Sequence, residues 1–212
     1  VSEDAPNRVA AGRESENALE RIPTLEPKQL AELLANANMR VRLAAQRRLV
    51  ALGNASAAPL KELVARQEGD QLARIHAIWA LGSLAIGDLQ LFDAIAPLCS
   101  DEDAEVRTQA ARTLGRARSA SVAARDGYGA ALAKLLADPS LRVRASAATS
   151  IGSLAYQPGL AALVRAASEN DDQGDPILRT AIVMGLSGSQ SEVQLRDAAK
   201  GADQAARIAL VL

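Results

Sequence analysis

Three segments superimpose without a gap: residues 36–52 "NANMRVRLAAQRRLVAL", 101–117 "DEDAEVRTQAARTLGRA" and 138–154 "DPSLRVRASAATSIGSL". A chain that repeats one phrase at this period builds one supersecondary unit several times and buries each copy against the next. Arg42, Arg74, Arg107, Arg144, Arg179 and Arg207 mark the register, 32, 33, 37, 35 and 28 residues apart, which is the length of a two-helix unit. Four residues before each stands Asn38, Asp70, Asp103, Ser140, Asp175 or Asp203. All are types whose short side chain can accept a bond from the free N–H groups at a helix start. Pro176 follows Asp175 at the first helical position, where its missing N–H costs nothing.

Apolar residues hold fixed places against these marks. One residue before each arginine come Val41, Ala73, Val106, Val143, Leu178 and Ala206; three after come Ala45, Ala77, Ala110, Ala147, Ile182 and Leu210. Seven after come Leu49, Leu81, Leu114, Ile151 and Leu186, so steps of four place all of them on one helical face. Gly82, Gly115 and Gly152 follow the leucine position, and glycine inside a helix needs a reason such as a close neighbour. Second helices are predicted over residues 58–66, 91–100, 130–138, 160–167 and 193–200, with a capping helix over 25–34. Residues 116–129 read as a loop and 1–23 as a linker or the tail of a preceding domain; residues 24–212 form the repeat domain, its last copy truncated. The resulting fold class is all-α, a curved stack of five to six helix pairs.

Composition narrows the function. At 212 residues the chain can bury roughly 70% of the surface its unfolded form exposes, enough for an extended domain. Twenty-four basic side chains against 25 acidic ones create no global field to draw in nucleic acid or an anionic membrane. Cys99, the one cysteine, permits no intrachain disulfide and no cysteine-based zinc or haem motif. No apolar run approaches the roughly 20 residues that span a bilayer.

The acidic turn, Val-Arg, Ala and Leu of "DEDAEVRTQAARTLG" resemble the HEAT and HEAT-like repeat families over residues 25–212. That resemblance implies an α-solenoid wound into a right-handed superhelix; Ala73, Leu178 and Ala206 stand where its pattern has valine. Three longer phrases, at residues 25–50, 70–84 ("DQLARIHAIWALGSL") and 169–186 ("ENDDQGDPILRTAIVMGL"), resemble the HEAT segment of exported dehydrogenase-like proteins of planctomycete-type bacteria. In that family a sorbosone-dehydrogenase-like propeller precedes the repeats and a c-type cytochrome domain follows them. The resemblance implies a periplasmic or exported location, neighbouring redox domains as partners and an excised chain. It carries over no catalytic, cofactor or metal residue.

Chemistry is sparse. The chain has no glycine-rich phosphate loop, no paired-histidine zinc helix and no GxSxG elbow. His76, the sole histidine, lies three residues before Trp79 on one helical face. Equivalent places in other copies hold mostly polar pairs, so this face is expected to be exposed or covered by another domain. His76 and Trp79 are candidates for anchoring a protein partner, against the alternative of an amphipathic pair lying on a neighbouring helix. "ENDDQGD" at residues 169–175 gathers four carboxylates without the alternating spacing of a calcium loop and reads as solvated. Lys61, Lys134, Arg165 and Arg196, roughly one per second helix and none in residues 91–100, could line the inner curve and hold an acidic partner or phosphates, or be ordinary solvated faces. The register arginines are expected to pair with acidic turns of their own or the next copy.

These features lead to a noncatalytic interaction or interdomain scaffold, binding proteins or neighbouring domains of the same parent chain. A bilin-lyase-like HEAT enzyme holding a tetrapyrrole is the alternative. Nucleic-acid binding ranks last, because HEAT-like DNA glycosylases use cationic grooves with aromatic groups, whereas aromatics here are 2% of residues.

Overall fold

The computed structural model describes residues 5–66, 69–170 and 174–211, all of whose regular elements are helical. They divide into two compact units, one ending at Leu84 and the other beginning at Ala85.

The first unit runs α1 (Ala5–Arg21), α2 (Pro27–Glu32), α3 (Met39–Ala51), α4 (Ala57–Ala65) and α5 (Gln71–Leu84). Part of the segment read as a linker is thus the helix α1. The predicted capping helix stops as α2 and closes in a tighter turn over Leu33–Ala35. Packing of α5 on α3 and α4, and of α2 on α3, buries Leu30, Leu34, Val41, Leu49, Leu60, Ile78 and Leu81.

The second unit opens with two 3-10 segments, Leu89–Ala94 and Ala96–Ser100. Helices α6 (Ala104–Leu114), α7 (Val122–Leu135), α8 (Leu141–Leu154), α9 (Leu160–Glu169), α10 (Pro176–Ser189), α11 (Glu192–Lys200) and α12 (Gln204–Val211) follow. Here α8 packs on α6, α7 and α10, while α12 packs on α9, α10 and α11.

The shared stripe is the core of both units. Every register position one before and three after the arginines is buried, and so are all five leucine and isoleucine positions seven after. Five of the six expected caps form: Asn38, Asp70, Asp103, Asp175 and Asp203 each accept a backbone N–H, such as that of Glu105 on Asp103 at 2.7 Å and that of Leu178 on Asp175 at 2.7 Å. Ser140 makes no side-chain cap; its own N–H donates to Asp138 Oδ1 at 2.9 Å, as those of Asn38 and Asp103 do to Asn36 and Asp101.

Two expectations fail. Residues 91–100 do not form an α-helix, because Pro97 has no N–H and its ring collides with the carbonyl four residues back. The chain winds more tightly instead, with Ile95 N–H on Phe92 O at 2.9 Å and Leu98 N–H on Ile95 O at 3.0 Å. Its apolar role survives, since Leu91, Phe92 and Ile95 are buried. Residues 116–129 are a loop only up to Ser121, whose hydroxyl accepts the Ala124 N–H at 3.3 Å and starts α7. Gly127 and Gly129, which read as loop residues, are inside that helix, where the ring of Tyr156 occupies the space a side chain at Gly129 would need.

Cys99 belongs to this core. Burial pushes its thiol up to about 12. Native protein at pH 8 should therefore leave a thiol reagent such as DTNB uncoloured until denaturant is added; stoichiometric labelling without denaturant would contradict this burial.

Candidate interaction surface

In the first unit, α3 brings Arg42 and Gln46 against His76 on α5. Arg42 Nε donates to His76 Nε2 at 3.2 Å, and His76 Nδ1 lies 2.6 Å from Gln46 Oε1. An acceptor at Nε2 requires the proton on Nδ1, which donates to Gln46. Arg42 Nη1 also ties down the turn before α3, donating to the carbonyls of Asn36 at 2.7 Å and Ala37 at 2.9 Å. The two ring nitrogens of His76 are thus both engaged and the residue is only 4% exposed. Its neighbour Trp79 meets it edge-on, ring centroids 5.0 Å apart, and is 37% exposed. Helix α3, where sequence suggested solvent or another domain, covers the histidine.

Burial, then the Arg42 charge, lower the His76 pKa below its usual 6.5, with Asp70 opposing. The unfolded state therefore binds the proton first on acidification. His76 leaves stability intact above about pH 6.5 and subtracts from it as pH falls below, at up to about 1.4 kcal/mol per pH unit. Urea midpoints measured from pH 7.5 to 5.5 should fall more steeply for the native chain than for His76→Gln; parallel curves would refute the assignment.

Three of the six register arginines, Arg42, Arg107 and Arg207, clamp turn carbonyls, while Arg74 Nη2 donates to Val64 O at 3.2 Å. Arg107 Nη1 donates to the carbonyls of Asp101 at 2.8 Å and Glu102 at 2.9 Å, repeating the Arg42 geometry, and Arg207 Nε donates to Ala202 O at 2.9 Å. Arg107 also forms the expected pair with the next turn: Nε and Nη2 reach the two Asp138 carboxylate oxygens at 2.7 and 3.0 Å.

The four other basic candidates, Lys61 on α4, Lys134 on α7, Arg165 on α9 and Arg196 on α11, are all exposed. Arg196 pairs with Glu192 one turn back on its own helix, at 2.5 Å. Of the acidic run, residues 171–173 lie outside the described residues. Asn170 holds its far end, its side chain bridging the Asp175 N–H and carbonyl at 2.9 Å each.

The feature that sequence reading missed is a trough of about 1010 Å³ along α8 and α10. Leu141, Ile177 and Met184 stand at its sides, the last two 72% and 53% exposed. Ala145, Thr149, Ser153, Thr180 and Ala181 make a shallow floor, and Arg112 and Arg142 join it from the α6 side. Small residues set its depth. A Cβ on Gly152 would stand 2.5 Å from Met184 O, and one on Gly185 2.6 Å from Ala148 O, so the two backbones are in contact beneath the trough. Its signal in the sequence was three apolar residues lying off the shared stripe.

Residues 62–125 match the family model for HEAT repeats and residues 130–157 the model for a single HEAT repeat. Among curated proteins, none matches the chain. Two of the solved structures that share the fold illustrate the likeness. The complex of CpcE and CpcF of phycocyanin lyase from Nostoc sp. PCC7120 aligns with 78% of this chain and 98% of its own, at 21% identity and a TM-score of 0.62. An engineered protein aligns with 87% of this chain and 93% of its own, at 19% identity and a TM-score of 0.57. Repeat phrase, buried stripe and family models agree that residues 62–125 and 130–157 are HEAT repeats, and the structural neighbours share the all-helical fold.

Proposed function

We propose that this chain is a noncatalytic scaffold that holds a protein partner on the faces of its stacked helices. The observation that carries the reading is the open, mostly apolar trough on α8 and α10, whose exposed Ile177 and Met184 are off the stripe that stabilises the fold. Exposed apolar side chains grouped at one place mark an interaction site more often than scattered ones do. The lone histidine is engaged on both ring nitrogens by Arg42 and Gln46, which suits a role in packing rather than proton transfer. The finer reading, a spacer between redox domains in an exported dehydrogenase-like protein, is supported by the three resembling phrases at residues 25–50, 70–84 and 169–186. Reading the parent gene on both sides tests it: a propeller upstream and a CxxCH downstream are expected, and a free-standing gene overturns it.

The test of the scaffold reading is affinity capture from the host with the native chain and with Ile177→Glu/Met184→Glu. One partner retained stoichiometrically by the first and lost by the second is expected. The second reading, a tetrapyrrole-handling protein, is favoured by the likeness to the phycocyanin lyase complex. Stoichiometric spectral change on mixing with bilin or haem, with no partner captured, would replace the scaffold reading with this one.

A further inference from the structure

We infer that the trough on α8 and α10 is a seat for one amphipathic helix of a partner protein, about three turns long and acidic along the flank that faces α6. This deepens the scaffold reading and rests on it.

The floor decides what can enter. Thr149, Ser153 and Thr180 carry hydroxyls, but each donates to a carbonyl one turn back on its own helix: Ala145 O at 3.1 Å, Thr149 O at 3.1 Å and Pro176 O at 2.9 Å. With donors satisfied internally, the floor offers an occupant its methyl and methylene groups, and an apolar face can cover it without stranding a polar group. Leu141, Ala145, Thr149 and Ser153 recur every fourth residue, so the trough follows the α8 axis for about 18 Å, the length of some twelve helical residues. Small floor residues between the larger side chains of Leu141, Ile177 and Met184 suit the 8–10 Å approach of a third helix.

Charge decides the occupant's flank. The two arginines at the edge lie on the α6 side: Arg112 donates Nε to Ser146 Oγ at 3.2 Å, and Arg142 touches Glu105 at 3.0 Å yet keeps its side chain 61% exposed. The one carboxylate in the lining, Asp175, accepts the Leu178 N–H at 2.7 Å and faces the positive end of α10. Glu105 offsets Arg142 and Arg112 meets a neutral hydroxyl, so the α6 edge keeps a net charge of about one positive and favours an acidic neighbour over a basic one.

The test uses the 212-residue chain, isotopically labelled, and three synthetic 14-residue helical peptides: Leu and Met at every third and fourth position with a Glu flank, the same with a Lys flank, and a scrambled Glu version. The Glu peptide should shift amide resonances of α8 and α10 and bind about threefold to fivefold more tightly than the Lys peptide, since one exposed pair, at Arg112, changes from attraction to repulsion. Arg112→Glu/Arg142→Glu should reverse that preference, and Thr149→Arg should abolish binding, while Val193→Arg on α11 leaves it unchanged. Circular dichroism confirms that each variant is folded. Shifts confined to α9 and α11, equal affinity for the two flanks, or a peptide-free dimer that Ile177→Glu dissociates would each overturn the inference. So would adsorption to phosphatidylserine vesicles in place of peptide binding. The scaffold reading fails by a different result, the tetrapyrrole titration with no captured partner.

Discussion

Replacing Asp138 by alanine should destabilise the chain by about 1.5–3 kcal/mol, the cost of losing two charge-assisted bonds in a part-buried pair. Arg107 and Asp138 are both part-buried and meet through two bonds at 2.7 and 3.0 Å, so solvent replaces the lost carboxylate only in part. Arg107→Ala should cost a similar amount, because it also strands the Asp101 and Glu102 carbonyls. Arg107→Lys keeps the charge but not the fork, and should fall between. Urea unfolding of the two alanine variants and their combination checks this: the double variant should be clearly less damaged than the sum, and additivity within about 0.5 kcal/mol would contradict the pair. The acid limb gives a second readout. Burial alone would raise the Asp138 pKa, but bonds from Arg107 and the Ser140 N–H outweigh it and hold the carboxyl below its usual value. The stabilisation is complete above about pH 3.9 and disappears as pH falls through the depressed folded value. Asp138→Asn should flatten the loss of stability below pH 4.

This pair shows which parts of the molecule could be read from one sequence. Arg107 was visible as a register mark and an acidic turn as its partner class, because the arginine and the polar residue four before it recur with the repeat; the Asp138 pair itself belongs to this copy. The same periodicity exposed the buried stripe and five caps. Ser140 was not separable from them, since a serine can cap, and the sequence around it carries no sign that its hydroxyl leaves the start of α8 uncapped. Residues 91–100 carried the right apolar pattern, and Pro97 changed how the chain winds without changing what it buries. His76 depended on Gln46, a side chain 30 residues away with no counterpart in the repeat pattern. The trough was hidden for a related reason: Leu141, Ile177 and Met184 each look incidental on their own helix and acquire meaning only from the distance between α8 and α10.

That distance rests on glycine, and the second large effect should appear there. Gly152→Val should lower stability by about 3 kcal/mol, at the upper end for overpacking, because the new side chain meets backbone rather than a movable group. Its Cβ alone would lie 2.5 Å from the carbonyl oxygen of Met184. A Cβ added at Gly185 would likewise meet Ala148 O at 2.6 Å and one at Gly188 would meet Gly152 Cα at 2.8 Å, so neither helix has room to give way. The helices must part, and the melting temperature should fall by roughly 6–12 °C for a chain of this size. Gly127→Ala is the control with the opposite sign. It lies inside α7 with nothing within 4 Å of an added Cβ, so removing glycine's backbone freedom should stabilise by about 0.5–1 kcal/mol. Parting α8 from α10 should also widen the trough floor, so a folded Gly152→Ala variant should bind the Glu-flanked peptide more weakly while Gly127→Ala binds it unchanged. Equal melting temperatures for the two alanine variants would show that the α8–α10 contact does not set the spacing.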